Sequence, residues 1–226
     1  ASAYANLLAD VWSNDYSALA PRTLRKIIGL FAPQFNNIHQ HDSEEFYGFF
    51  LDGIHEDLNR VYDKPYVERL ECVGMPDDKA ALETWRRHLL RHDSVIVDNF
   101  QGMYRSHVTC PKCGRESVRF DVFSSLQLPL VLNKDGSPIL LEDCLEQLVM
   151  GEQLDEDNAY YCSNCKEHVC ALKTIALWSV PDVLVLSLKR FGVKNCDVRG
   201  RLVRTKLEDV VAFPVDTLDL RDHVLG

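Results

Sequence analysis

Two Cys-x-x-Cys pairs, Cys110-Pro111-Lys112-Cys113 and Cys162-Ser163-Asn164-Cys165, constrain this chain more than any other feature. Two residues between thiolates place both sulfurs on one side of a tight knuckle. Two knuckles then supply the four tetrahedral ligands of one structural zinc. Positions 114 through 161 separate the pairs, too many for a compact finger, so strands must leave the first knuckle, build something and return to the second. A ribbon of long antiparallel strands with zinc at its tip meets that demand. The rival readings fare worse: a redox pair needs a helix N-terminus, and a catalytic zinc needs an open position that four thiolates do not leave. His168 reads as a surface residue rather than a replacement ligand, and Cys72, Cys144, Cys170 and Cys196 as small buried hydrophobes.

Unpaired thiols at this frequency, eight Cys in 226 residues, suit a reducing compartment, so cytosol or nucleus is expected. The formal net charge of −9 disfavours a phosphate-backbone partner and suits a basic one. No apolar run is long enough to span a membrane. The opening Ala1-Ser2-Ala3-Tyr4-Ala5 has neither an initiator Met nor a basic-then-apolar leader, so an internal piece of a longer protein is expected.

The first hundred residues carry helical periods. Leu7, Leu8, Val11 and Trp12 share one face, and Leu24, Ile27 and Ile28 follow Pro21. The strongest stripe starts at Asp42 and runs through Phe46, Phe49, Phe50, Ile54 and Leu58, with the four aromatic and aliphatic residues from Phe46 to Ile54 expected in the core. Ala80 to Leu90 forms another helix behind Asp77 and Asp78. Beyond Ser94 strands are expected: the apolar Val95–Val97, then Val118–Val122, Leu126–Leu130, Ala171–Leu177, and Val183–Leu188 as a strand buried on both faces. Asp135-Gly136 marks a turn, and Leu141 to Leu148 one short helix. Helices first and strands later predict an α+β body.

Gln40-His41-Asp42-Ser43-Glu44-Glu45-Phe46, with Phe49-Phe50-Leu51-Asp52-Gly53 behind it, resembles the Gln-Asp box of ubiquitin-specific proteases. Asn99 to Gly102, the two Cys pairs, Tyr160-Tyr161-Cys162, Leu177 to Pro181, Leu188-Lys189-Arg190-Phe191 and Phe213-Pro214 follow in that family's order. The resemblance implies a papain-like hand: a helical thumb over residues 1–99, and zinc-bearing fingers with part of the palm over 100–226. It implies a monomer that binds ubiquitin and ubiquitinated proteins, with no role for nucleic acid or membrane. In that family a Cys-His-Asp or Cys-His-Asn mechanism hydrolyses the isopeptide bond after ubiquitin's terminal Gly-Gly.

Nothing in the chain matches the family's Cys box or His box, so no catalytic residue is assigned and this polypeptide alone is expected to be inactive. A pseudo-enzyme that only binds ubiquitin is the alternative. Asp42 has two readings. It can cap the helix it precedes, with Glu45 three residues on, or its carboxylate can hold an arginine of ubiquitin's tail. The resemblance favours the tail for Asp42, leaves Glu45 even, and gives Gln40 amide hydrogen bonds nearby. Lys189 and Arg190 read as the solvated end of a buried strand.

Overall fold

The computed structural model describes residues 1–70, 72, 74–133, 135, 137–196 and 202–226, with backbone only for 192–196 and 202–205. Gly136 and the side chain of Cys196 therefore lie outside the described residues. The chain forms two compact units, one of residues 1–67 and 88–100, the other of 68–87 and 101–226.

The first unit is helical. It contains α1 (Ser2–Trp12), α2 (Arg22–Phe31), a short 3-10 turn (Pro33–Phe35) and α3 (Ser43–Leu58). The end of α4 (Asp77–Leu89) and α5 (Val95–Phe100) complete it. Leu51 and Ile54 of α3 pack on Ile96 of α5, with Tyr4 and Phe50 alongside. Phe46 and Phe49 depart from the expected core. They stay 36% and 43% exposed, and each sets an edge-to-face ring against buried Phe35. Val95–Val97 is helix, not strand. Ser94 Oγ accepts from the amides of Ile96 at 3.1 Å and Val97 at 3.3 Å, and this cap overrides the β-branched composition.

The second unit is built on strands. A four-stranded antiparallel sheet holds β1 (Gly102–Thr109), β2 (Glu116–Phe123), β5 (Glu152–Gln153) and β8 (Leu172–Ser179), in the order β2-β1-β8-β5. Gly102 is needed where β1 opens, because a Cβ there would lie 2.5 Å from the Ser179 carbonyl. Alternation gives this sheet two different faces. Met103, Phe120 and Trp178 are covered by Ala80, Ala81 and Trp85 of α4, which is why residues 68–87 fold with the strands.

Four short pairs surround this sheet. β3 (Leu126–Leu128) lies parallel to β9 (Leu186–Leu188), and β4 (Ile139–Leu140) parallel to β12 (Val211–Ala212). β6 (Tyr160–Cys162) and β7 (Glu167–Val169) form a hairpin, as do β10 (Phe191–Cys196) and β11 (Leu202–Lys206). The main core gathers Phe123, Leu126, Leu128, Leu177 and the apolar face of α6 (Leu141–Val149).

The run from Val183 to Leu188 differs from the strand expected there. Only its last three residues are strand. Leu184, Leu186 and Leu188 face the core while Val183 remains 44% exposed, so one face is buried and not two. Arg190 is no loose end either. Its guanidinium donates to the carbonyls of Leu207 at 3.2 Å and Asp209 at 2.9 Å. The mixed helix and antiparallel-sheet architecture matches the α+β expectation.

Candidate functional site

The β1–β2 hairpin and the β6–β7 hairpin each end in a Cys-x-x-Cys knuckle, and the structure brings the two together. The sulfurs of Cys110 and Cys165 lie 3.9 Å apart, those of Cys113 and Cys162 3.7 Å, and all four within 4.8 Å of one another. Zn–S bonds of about 2.3 Å at tetrahedral angles set sulfurs about 3.8 Å apart, so this is the spacing of a metal-ready set and far from a disulfide's roughly 2 Å.

Backbone geometry makes the knuckles. Gly114 N–H donates to the Cys110 carbonyl at 3.0 Å, and Lys166 N–H to the Cys162 carbonyl at 2.7 Å. Each of these residues has a positive φ, 66° at Gly114 and 57° at Lys166. Lys112 Nζ meets Glu167 Oε2 at 2.9 Å, pinning one knuckle to the other hairpin.

The sulfurs are electrostatically unequal. Hydrogen bonds from the Asn164 side chain and the Arg115 amide push the Cys113 thiol down to about 6, while Cys113 as a neighbour, with burial second, pushes Cys165 up to about 12. One thiolate makes the next expensive. A divalent cation among them reverses that, since it favours every coordinated thiol in its deprotonated form. His168 stays outside this set, exposed, with its ring against Tyr161 and Nδ1 3.2 Å from the Ala159 carbonyl.

The other thiols split. Cys144 is fully buried and Cys72 half-buried, its thiol pushed up by desolvation. Cys170 is exposed, contrary to expectation, because Val169 and Ala171 on either side take the inward positions. Among the described residues no cysteine sulfur is hydrogen-bonded to a histidine ring.

Asp42 occupies the N-cap of α3, where its Oδ1 accepts from the Glu44 amide at 2.8 Å. Asp42 is exposed and lines an open groove of about 430 Å³. Leu24, Ile28, Phe35 and Phe46 give that groove an apolar lining, with Arg25 and His41 also beside it. Glu45 makes no capping return. Its carboxylate accepts from Gln34 Nε2 at 3.5 Å, the outer limit of a hydrogen bond. Gln40 is exposed in the coil just before Asp42.

A polar cluster in the helical unit has no counterpart among the residues singled out from sequence. His55 of α3 is 4% exposed, with Nδ1 2.7 Å from Ser94 Oγ and Nε2 3.0 Å from His92 Nδ1. The available signal was weak: a His on the inward stripe of α3 and a His88-x-x-x-His92 spacing.

Residues 1–225 match the family model described as ubiquitin carboxyl-terminal hydrolase. Ubiquitin carboxyl-terminal hydrolase 4 of Rattus norvegicus is 50% identical over 135 residues, 60% of this chain and 14% of that protein. Putative ubiquitin carboxyl-terminal hydrolase 11 of Arabidopsis thaliana is 50% identical over 137 residues, 61% of this chain and 15% of that one. The aligned part is thus about a seventh of the length of these relatives. Among solved structures, the SAGA Ubp8/Sgf11/Sus1/Sgf73 DUB module bound to ubiquitin aldehyde aligns with a TM-score of 0.54 at 24% identity, over 87% of this chain and 36% of that one. The same module bound to monoubiquitin gives 0.55 at 26% identity, over 88% and 37%. No helix among the described residues is long and apolar enough to cross a membrane.

Proposed function

Because the chain belongs to the ubiquitin carboxyl-terminal hydrolase family, we propose that it is the ubiquitin-gripping body of a deubiquitinating cysteine protease of the cytosol or nucleus. The observation that carries this is the match over residues 1–225, which runs through both the Asp42 helix and the four-cysteine tip. In this reading one zinc sits among Cys110, Cys113, Cys162 and Cys165 and only holds the strands together, since four thiolates leave no place for water or substrate.

Ubiquitin's body would lie on the β2-β1-β8-β5 sheet opposite α4 and beyond the end that α6 covers, where Tyr104, Ser106, Arg119, Asp121, Tyr160 and Lys173 line an open depression. Its tail would run past Asp42. The exposed carboxylate there can accept charge-assisted hydrogen bonds from a tail arginine without giving up the cap, because it has two oxygens and the helix uses one. Glu45 and Gln40, both exposed and near it in sequence, would add further polar contacts to the tail.

Hydrolysis of the isopeptide bond needs a thiolate with a base at hydrogen-bond reach. The sequence matches neither the family's Cys box nor its His box, so in this reading these 226 residues by themselves would bind and not cleave. The nucleophile and base would come from other segments of the parent protein. Isothermal titration with ubiquitin tests the grip, and a fluorogenic ubiquitin amide tests cleavage. No binding at high micromolar ubiquitin would overturn the reading. If the intact parent also fails to cleave while binding persists, the protein is a non-catalytic ubiquitin scaffold.

A further inference from the structure

The cluster around His55 is unused by anything above. It collects lone-pair donors from two separate stretches of the helical unit. His55 Nε2 lies 3.0 Å from His92 Nδ1 and 3.8 Å from Glu56 Oε1, and one ligand atom from each of the three residues fits within 4.8 Å. His88 stacks on His92 with ring centroids 4.8 Å apart. Burial, together with His88, His55 and Lys64 nearby, pushes His92 down to about 4, so its imidazole is a neutral base at neutral pH.

Hydrogen bonding alone explains part of this. Ser94 Oγ accepts two amides of α5, so its hydroxyl can donate to His55 Nδ1, and His55 Nε2–H to His92 Nδ1. That chain accounts for two rings and does not involve the carboxylate. Glu56 is instead met by a cation: Lys64 Nζ lies 2.5 and 2.6 Å from its two oxygens. A positive charge is already drawn to this place, on a side chain flexible enough to leave.

The geometry points to a second metal site, formed by His55 Nε2, His92 Nδ1 and a Glu56 oxygen, for a divalent ion of the zinc type. Two imidazoles and one carboxylate are a zinc donor set that leaves a fourth position for water. Zn–N bonds of about 2.0–2.1 Å at tetrahedral angles separate nitrogens by about 3.3 Å, so the nitrogens need to part by only a few tenths of an ångström, while both rings turn until their lone pairs converge on the ion instead of on each other. His55 would then carry its proton on Nδ1 and donate to Ser94 Oγ, which would release one of its two α5 amides to accept it, giving the outer hydrogen bond that orients a metal-bound histidine. Lys64 swings away as the ion enters. The ion ties α3 to the segment leading into α5, and the helical unit becomes more stable as free zinc rises.

The test is metal stoichiometry of the whole chain after dialysis against buffered micromolar zinc. Two ions per chain are expected, falling to one in His92→Asn, whose side-chain amide keeps a partner for His55 Nε2–H. Cobalt separates the sites optically. Thiolate charge-transfer absorption belongs to the cysteine set and vanishes in Cys110→Ser, while a weak ligand-field band without it survives there and is lost in His92→Asn. Lys64→Gln removes the competing charge and should tighten the second ion about tenfold. One ion per unsubstituted chain, with cobalt showing the thiolate charge-transfer band alone, overturns the proposal whether or not any variant folds. A second ion that persists unchanged in His92→Asn overturns it as well, and unchanged affinity in Lys64→Gln removes Lys64 from the site.

Discussion

The cysteine tip and the helical unit close their loops by different means. At the tip, the buried set is Cys110, Cys162, Val169 and Ala171, with Val108, Leu154, Tyr160 and Cys165 around them. Three of those eight side chains are sulfurs that a metal would hold, so little apolar surface remains to order the tip without one. The helical unit uses an amide. Buried Asn59 donates to the Arg91 carbonyl at 2.9 Å and accepts from the Val61 and Asp93 amides at 3.1 Å each. Arg60 N–H adds a bond to the Asp93 carbonyl at 2.7 Å. With the proposed zinc in place, order at the tip would be conditional on a solute, whereas order after α3 is written into the chain.

The largest effect should come from removing the proposed zinc. Structural zinc binding carries about 10–16 kcal/mol in small zinc peptides at neutral pH. Chelation, or Cys165→Ser, should expose the amides of β6, β7 and the ends of β1 and β2 to rapid hydrogen exchange while α3 stays protected. Loss of protection in α3 at the same chelator concentration would break the comparison.

The converse experiment is Asn59→Ala. It strands one carbonyl and two amides, at about 1–3 kcal/mol for each group left buried and unpaired, so the helical unit should lose roughly 3 kcal/mol. Its denaturant midpoint should fall while the metal content of the cysteine site holds. An unchanged midpoint would show that water replaces the clamp.

Asp42→Asn sharpens the contrast within the helical unit, between holding the fold and holding a partner. Asn caps as well as Asp, so stability should move by only about a few tenths of a kcal/mol. Loss of a charged partner contributes about 1.5–3 kcal/mol, so ubiquitin affinity should drop about tenfold or more, and only for ubiquitin that keeps its tail. Lost stability with affinity intact would make Asp42 a cap alone.

The smallest effect separates the two knuckles. Gly114 and Lys166 hold matching left-handed conformations, and only the lysine is strained by it. Lys166→Gly should stabilise the tip by about 0.5 kcal/mol, after the extra freedom glycine gains when unfolded, read as a modest rise in the chelator concentration needed to strip the metal.

What could be read from sequence was local. Two residues between cysteines fix a knuckle wherever they occur, and the three- and four-residue steps from Asp42 to Leu58 fix a helix over sixteen residues. What escaped depended on distance or on a single atom. Ser94 Oγ turned three β-branched residues into a helix. Ala80 and Ala81 joined the strands because Met103 and Phe120 offered them a surface, which no period within α4 could announce. The His55 cluster joins residues 37 and 39 positions apart, and Arg190 reads locally as a solvated end because its carbonyl partners come 17 and 19 positions later.

The strand order β2-β1-β8-β5 also sets a sequence of events. β1 meets β2 through a hairpin, but Tyr104 pairs with Leu177 and Thr109 with Leu172 only after the whole intervening stretch has been looped back. Closing so long a loop is entropically costly and slow compared with winding α3. The first knuckle can thus exist early with two thiolates, while the second arrives only when β8 docks. If zinc binds there, its capture by all four sulfurs would be a late step in folding, and the rate at which full metal loading appears would report the docking of β8 rather than any encounter between zinc and thiolate.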